Sequence, residues 1–212
     1  MADLEKTRKN LENRGFRVHT FAAGADAAEY LVQTLQKTSI GIGGSVTIDT
    51  LGVYDRLCAG DNEVFWHWKN RAPDTRERAG RAEAYLCSAN GVSETGEIVN
   101  IDGCGNRVTG TIYGPQRVFL VVGRNKIAPD LNAAIDRARN VAAPLNARRL
   151  KRNTPCSVGE LRCHDCRSRE KVCGVMTVFS CRPPPSGSFM FFSLTRSSVT
   201  EFPEYFEPRR IY

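Results

Sequence analysis

Residues 39–47 have the sequence SIGIGGSVT, in which a short apolar run passes through glycines into hydroxyl side chains. The pattern predicts a strand over residues 39–42, a glycine loop, and a helix that begins near Val46. Glycines allow a sharp turn and a close approach to a ligand, and N–H groups at the start of a helix favour an anion. The loop is therefore a candidate anion site, or else a tight turn in which Ser45 caps the helix. The spacing matches neither a Walker A motif nor the full GxGxxG pattern.

On both sides of this loop, helical patterns alternate with short apolar runs. The sequence predicts helices over residues 4–14, 26–36, 46–57, 75–87 and 129–140. It predicts strands over residues 16–21, 39–42, 64–68, 107–113 and 118–122, and a polar connection over residues 88–105. Strands separated by helices favour parallel pairing. We therefore expect an α/β fold, with a layered, mostly parallel sheet flanked by helices.

The overall composition is that of a globular chain. Apolar residues make up 41% of the 212 residues, which is enough for a core, and the charged share of 25% is ordinary for a globular protein. No stretch reaches the roughly 18 apolar residues that a membrane span needs, so we expect no membrane span. The charged N-terminus lacks the apolar run of a secretory signal. We therefore expect a cytoplasmic protein with reduced cysteines.

Positive charge is concentrated near the C-terminus. Of the net charge of +7, residues 148–173 carry +5, from eight basic and three acidic residues, which leaves +2 elsewhere. A surface for nucleic acid would combine such charge with aromatic side chains for stacking. This window contains none, so we do not expect nucleic acid as a partner.

Eight cysteines fall into two groups. Cys58, Cys87 and Cys104 are scattered, and we expect them to behave as small buried apolar residues. Four others form the pattern Cys156-x6-Cys163-x2-Cys166-x6-Cys173, symmetrical about a central Cys-x2-Cys, and Cys181 lies outside it. Four thiolates suit tetrahedral zinc or an iron–sulfur cluster. The spacing does not decide between these, and a set of buried or disulfide-forming cysteines is the remaining alternative.

Several motifs in the middle of the chain identify a family. Residues 88–103 have the sequence SANGVSETGEIVNIDG and continue as CGNRV, followed by VVGRNK at residues 121–126 and APLNA at residues 143–147. In order and spacing these motifs resemble LUD-domain proteins, which include subunits of bacterial lactate-oxidation systems. The resemblance covers roughly residues 1–175. It implies a fold like that of ribose-phosphate isomerases and CoA transferases, with a small-molecule site at the glycine loop.

The resemblance also implies which residues form that site. A ligand's anionic group would lie against Gly43, Gly44, Ser45 and Thr47, and the opposite wall would contain Asn90, Glu94, Asp102, Asn106 and Arg107. Asn125 and Lys126, at a strand end, would supply donors and a charge. Candidate catalytic residues are Glu94, Asp102 and Lys126. Each has a structural alternative, such as a turn at Asp102-Gly103, a cap at Asn106-Arg107, or a solvated charge at Lys126 or Glu94.

These sequence features support two alternative hypotheses for the function. The first is a redox accessory or electron-transfer component that binds a small hydroxy- or oxo-acid and exchanges electrons with an iron–sulfur or flavin partner protein. The redox setting of the resembled family favours a 4Fe-4S cluster over zinc at Cys156, Cys163, Cys166 and Cys173. The alternative is a non-redox enzyme or binding protein, similar to CoA transferases or isomerases, with a structural zinc site. Residues 93–96, SETG, are similar to the Ser-Glu-Asn-Gly stretch of CoA transferases, in which the Glu is the nucleophile.

The C-terminal part differs in composition from the rest. From Thr154 onward short cysteine spacings are followed by prolines, Ser and Gly. We therefore expect a LUD-type α/β domain at residues 1–152 and a cysteine-rich, metal-binding appendage and tail at residues 153–212. Residues 189–194 form only a short apolar run, and the resemblance does not extend over the last 30 residues. If the cysteines carry electrons to the ligand, both sites should open at the same end of the sheet.

Overall fold

The structure is a computed structural model that describes residues 2–183 and, as backbone, residues 189–195. The helices are α1 Leu4–Asn13, α2 Gly24–Thr34, α3 Val46–Thr50, α4 Val53–Cys58, α5 Thr75–Arg81, α6 Asn106–Ile112, α7 Leu131–Arg137, α8 Ala143–Arg149 and α9 Pro155–Val158. The strands are β1 Arg17–Phe21, β2 Ser39–Ile42, β3 Glu63–Trp66, β4 Ala84–Cys87, β5 Gly91–Ser93, β6 Ile98–Asp102, β7 Arg117–Gly123, β8 Ile127–Ala128, β9 Val175–Phe179 and β10 Phe189–Thr195. A 3₁₀ turn covers Arg124–Lys126, and a π-helical turn, Ala138–Ala142, joins α7 to α8.

Six strands form a parallel sheet in the order β1-β10-β7-β4-β2-β3. The predicted fold class is therefore confirmed. The central strands are apolar on both faces. Val118, Leu120 and Val122 of β7 pack on one side, and Phe119 and Val121 on the other. Helices α2, α3 and α4 cover the second of these faces.

A smaller, mixed sheet covers part of the other face. Its order is β8-β5-β6-β9, with β6 antiparallel to both β5 and β9. Ile98 of β6 packs towards the main sheet, together with Leu11 of α1 and Ala79 of α5. Val99 and Ile101 face the opposite way and pack against α7, the π-helical turn and α8. The second sheet is therefore buried between the main sheet and the α7–α8 segment.

Two predicted helices are shorter in the structure. Residues 46–57 form two helices because Gly52 adopts the left-handed backbone conformation, with φ +64°. The helix predicted over residues 75–87 ends at Arg81, and its last part is the strand β4. All four residues of β4 are buried. A strand that is buried on both faces shows no alternation of polar and apolar residues, which explains why the helix prediction was wrong here.

The strand predicted over residues 107–113 is wrong, because these residues form helix α6. Its β-branched residues favour a strand locally. Two tertiary contacts favour the helix instead. The Asp102 carboxylate accepts a hydrogen bond from the Arg107 N–H at the helix start, at 2.9 Å. Gly110 lies directly against the Tyr85 ring, where a helix can pass close to β4.

Strands also occur in segments for which the sequence predicted none. Residues 88–105 include β5 and β6, which form the middle of the second sheet. Residues 175–179 form β9, and the apolar run at residues 189–194 lies within β10, between β1 and β7. The division at residue 152 stays a prediction, although β9 and β10 both pair with strands from the N-terminal side of that boundary.

The scattered cysteines differ in their exposure. Cys87 is buried, as predicted, whereas Cys58 and Cys104 are exposed, so the prediction for these two was wrong. Cys58 is the last residue of α4 and Cys104 lies in the β6–α6 turn. Within the described ranges, no helix has the length and apolar character to cross a membrane.

Candidate functional site

Polar side chains gather where several parallel strands of the main sheet end. β2 leads into the glycine loop, which we define as residues 43–47, β4 leads to Ser88, and β7 leads to Lys126. Asp102 ends β6 of the second sheet beside them. Ligands of α/β proteins bind at the carboxyl ends of parallel strands. This edge of the sheet is therefore the candidate binding site.

The glycine loop is closely packed by side chains. The Gly43 N–H donates to the Leu86 carbonyl at 2.9 Å, which continues the pairing of β2 with β4. A Cβ on Gly43 would lie 2.9 Å from both Arg107 Cγ and the Tyr85 hydroxyl, so only glycine fits. Ser45 Oγ accepts from the Ile48 N–H at 3.3 Å. Ser45 therefore caps α3, as the tight-turn alternative for this loop predicted.

Lys126 connects three of these elements. Its ammonium donates to Thr47 Oγ1 at 2.8 Å and to Ser88 Oγ at 2.9 Å. Thr47 and Ser88 are both buried. The structure thus brings together two predicted site residues, Thr47 and Lys126. Ser88 was missed, because nothing in the sequence distinguishes it from other serines in the motif.

Asp102, Arg107 and Asn90 form a second group. Arg107 Nε lies 3.5 Å from Asp102 Oδ2, and both side chains are almost completely buried. Arg107 also donates to Asn90 Oδ1 at 3.3 Å and to the Ile101 carbonyl. Three of the residues that the family resemblance implies for one wall of the site therefore lie together.

His67, Trp68 and Arg149 were not predicted, yet they lie beside the glycine loop or its neighbours. A Cβ on Gly44 would meet Trp68 Nε1 at 3.2 Å and the His67 ring at 3.4 Å. The Arg149 guanidinium lies over the Trp68 ring, 4.6 Å from its centroid. Their only signal in the sequence is a Trp-His-Trp run at the end of the strand predicted over residues 64–68, and an arginine shortly after the APLNA motif.

The electrostatic environment of His67 is positive. The pKa of His67 is lowered to about 4, mainly by burial and in addition by the nearby guanidinium groups of Arg76, Arg107 and Arg149. Arg107 lies at Gly43, Arg149 lies over Trp68 beside Gly44, and Lys126 binds Thr47. We call Arg107, Lys126 and Arg149 around the glycine loop the cationic centre. A neutral His67 among these groups can donate or accept a hydrogen bond without adding charge.

Cys87 is buried against Gly43 of the glycine loop, and its thiol is unreactive. Burial raises the pKa of the Cys87 thiol to about 12, although Arg107 and Lys126 lower it in part. The thiolate is the reactive form of cysteine, so Cys87 is inert at neutral pH. Its role is to fill the space beneath the glycine loop.

Three other predicted residues lie in different surroundings. The Glu94 carboxylate accepts from the Asp3 N–H at 2.9 Å and from Lys6 Nζ at 3.1 Å, at the start of α1. These contacts lower the pKa of Glu94, the Asp3 N–H being the larger cause. The Asn106 side chain accepts from Cys104 Sγ at 3.1 Å. The Asn125 backbone carbonyl accepts from Arg137 Nε at 3.0 Å. None of these contacts joins its residue to the glycine loop.

The four cysteines of the symmetrical pattern line one cavity of about 200 Å³. Cys173 is partly buried, which raises its pKa, and the neighbouring thiols of Cys163, Cys166 and Cys156 raise it further. Thiols that share one cavity match the donor set of zinc or of an iron–sulfur cluster. In the part of the chain that the structure describes, no three His, Cys, Asp or Glu side chains are already arranged to hold a metal ion. The thiols therefore share a cavity without forming a preformed set of ligands.

The π-helical turn supports the cysteine segment. Asn140 Oδ1 accepts from the Cys163 N–H at 3.0 Å, and Arg139 lies 3.9 Å from Cys163 Sγ and 3.1 Å from Asp165 Oδ1. An open cleft of about 360 Å³ between α7 and residues 163–165 adjoins the cysteine cavity. Single π-helical turns occur frequently at functional sites.

The end of β6 links the two regions. A Cβ on Gly103 would lie 3.2 Å from Val172 Cα, and one on Gly174 would lie 3.1 Å from the Gly103 carbonyl. Val175 pairs with Asp102 in the second sheet. The chain around Cys173 therefore contacts the β6 turn, whose Asp102 binds Arg107 of the cationic centre. That both sites open at one end of the sheet stays a prediction.

Comparison with known proteins agrees with this architecture. The fold is similar to the crystal structure of a DUF162 family protein from Deinococcus radiodurans, with a TM-score of 0.53 and 16% sequence identity over 92% of this chain and 96% of that chain. No curated protein matches the sequence. Residues 4–159 match the LUD domain. This match spans most of the chain, and the chain therefore belongs to the LUD domain family.

Proposed function

We propose that this protein is a redox accessory component that holds a 4Fe-4S cluster on Cys156, Cys163, Cys166 and Cys173 and binds a small hydroxy- or oxo-acid anion at the cationic centre. The observation that supports this most directly is the cavity that the four thiols share. A bound cluster would accept and release single electrons. A partner iron–sulfur or flavin protein would exchange these electrons at the open cleft beside Cys163.

Charge around the cysteines favours such a group. A 4Fe-4S core with four thiolates carries a net charge of about −2, which nearby cations offset. Arg139 lies 3.9 Å from Cys163 Sγ, and Lys171 lowers the pKa of Cys173. These two side chains would stabilise the thiolate form that ligation requires.

The cationic centre favours an anion for the same physical reason. Arg107, Lys126 and Arg149 surround the glycine loop, and Asp102 is the acidic group paired with Arg107. Partly buried cations are stabilised by an opposite charge nearby. A carboxylate of a small acid would supply that charge and bind the Lys126 ammonium.

The CoA-transferase alternative is less well supported. It requires Glu94 as a nucleophile beside the bound substrate. The Glu94 carboxylate accepts two hydrogen bonds at the start of α1, and both would have to break before it could attack a thioester.

Anaerobic purification tests the cluster. We expect brown protein that contains iron and acid-labile sulfide in equal amounts. Replacement of Cys163 by Ser should abolish the colour. The same change at Cys181, which is exposed and outside the cavity, should preserve it. Colourless protein with stoichiometric zinc would favour a structural zinc site. Protein without metal would contradict both forms of the site.

A further inference from the structure

Asn100 stands out among the buried polar side chains. It is 1% exposed, and both Nδ2 and Oδ1 lack a hydrogen-bond partner among the residues that the structure describes. Among the described residues, Trp66, Arg117 and Arg124 each have one buried N–H donor without a partner. Asn100 thus leaves a donor and an acceptor unused at one position. Buried polar groups are nearly always hydrogen-bonded, so such an exception needs a specific explanation.

The strand geometry shows where this amide points. Side chains alternate between the two faces of a strand. Asn100 therefore shares a face of β6 with Ile98 and Asp102, while Val99 and Ile101 face α7 and α8. Ile98 packs in the same core as Tyr85 and Cys87 of β4. The Asn100 amide thus points into the space between the two sheets.

This space adjoins the cationic centre. Asn100 is two residues from Asp102, which corresponds to about 7 Å along a strand. Asp102 binds Arg107. Cys87 lies near enough to Arg107, Asp102 and Lys126 for each to influence its pKa. The hydroxyl group of a 2-hydroxy acid is on the carbon next to its carboxylate, so an acid held between Arg107 and Asn100 would present the carboxylate to the guanidinium and the hydroxyl group to the amide.

The chemistry of the amide indicates the group that it recognises. A hydroxyl group both donates and accepts a hydrogen bond, so it satisfies Oδ1 and Nδ2 of one asparagine together. A keto group only accepts and would leave Oδ1 unsatisfied. We infer that Asn100 is a specificity-determining residue that binds the hydroxyl group of a small 2-hydroxy acid, in preference to the matched 2-oxo acid. This inference rests on the proposed anion-binding function.

Three matched acids and calorimetric titration test it. Lactate, pyruvate and propanoate share a carbon skeleton and differ at the second carbon. The wild-type protein should bind lactate at least about tenfold more tightly than either of the other two. Asn100→Leu should remove this preference and leave the weaker affinity for all three acids. Asn100→Ala provides the same measurement if the leucine variant does not fold. Asn13→Leu, at an exposed asparagine of α1, is the control and should bind as the wild type does.

Lys126→Met separates the two proposals, because it should weaken the binding of all three acids. If the wild type binds none of them, the proposed anion site and the role of Asn100 both fail. If Lys126→Met weakens binding but Asn100→Leu keeps the preference for lactate, only the role of Asn100 is overturned. A buried water is then the hydrogen-bond partner of the Asn100 amide.

Discussion

The backbone N–H of Arg107 donates to the Asp102 carboxylate at 2.9 Å, across the turn that joins β6 to α6. The Arg107 side chain returns to the same carboxylate, with Nε 3.5 Å from Oδ2. One carboxylate thus fixes the start of α6 and orients a guanidinium of the cationic centre. The turn between these two residues determines both the local fold and the site.

Asp102→Asn should destabilise the protein by about 1–3 kcal/mol, because it leaves the buried Arg107 without its opposite charge. Unfolding in urea measures the change. Glu77→Gln, which removes the exposed pair with Arg81 on α5, should cost less than about 0.5 kcal/mol. An equal effect of the two substitutions would contradict a structural role for the Asp102–Arg107 pair.

Gly110→Ala should destabilise α6 by about 1–3 kcal/mol, because the new Cβ would lie 2.6 Å from Tyr85 Cζ, inside a packed core. Gly80→Ala is the matched control. Gly80 lies within helix α5, and a Cβ there meets nothing within 4 Å. This control should stabilise the protein by up to about 1 kcal/mol, because alanine favours a helix over glycine. Thermal unfolding of both variants shows whether each substitution lowers or raises the stability. A stabilised Gly110→Ala variant would show that Tyr85 does not pack as described.

His67 should make the protein less stable in acid. Its pKa in the fold is about 4, below the ordinary value of 6.5, mainly because of burial. As the pH falls below about 6.5, the unfolded chain takes up this proton first, so the free energy of unfolding decreases until the pH reaches about 4. His67 is partly open to solvent, and after allowance for screening we expect a loss of about 1–2 kcal/mol.

Urea unfolding between pH 7 and pH 4, as approximate limits of this window, measures the effect. The His67→Gln variant should lose less stability than the wild type over that range. The exposed His164 provides the control, because His164→Gln should lose as much as the wild type. If the free energy of unfolding changes with pH to the same extent in His67→Gln and in the wild type, the low pKa of His67 is contradicted.

The cysteines should differ sharply in reactivity. The Cys87 thiol has a pKa of about 12 and is buried, so iodoacetamide at neutral pH should modify it only after denaturation. Cys58, Cys104 and Cys181 are exposed and should react in the native protein. Mass spectrometry of peptides after timed labelling compares the rates. Labelling of Cys87 at the rate of Cys58 would show that the space beneath the glycine loop is open to solvent.

Local patterns predicted some elements well. The run at residues 39–42 predicted β2 with its observed bounds, since glycines mark the end of the strand. The pattern failed at β4, because a strand buried on both faces has no alternation. It also failed at α6, whose β-branched residues are held in a helix by Asp102 and by the fit of Gly110 against Tyr85. In both cases tertiary packing overrides local preference.

The candidate site was predicted in part. The family resemblance implied Thr47, Lys126, Asp102 and Arg107, and the structure places Thr47 against Lys126 and Asp102 against Arg107. His67 follows β3 and Arg149 ends α8, two elements that are far apart in the sequence, and Trp68 lies beside both residues. Such a contact depends on the packing of two distant elements, which the spacing of residues in a single sequence does not encode.

The position of β10 has a consequence for the order in which the protein is made. The first strand of the chain, β1, pairs with β10, and β10 also pairs with β7 in the middle of the main sheet. A ribosome releases β1 well before Phe189–Thr195. Pairings between such distant segments form slowly, because a long loop must close first. We therefore expect the sheet to remain incomplete until β10 has left the ribosome, and until then the nascent chain must keep β1 from other partners.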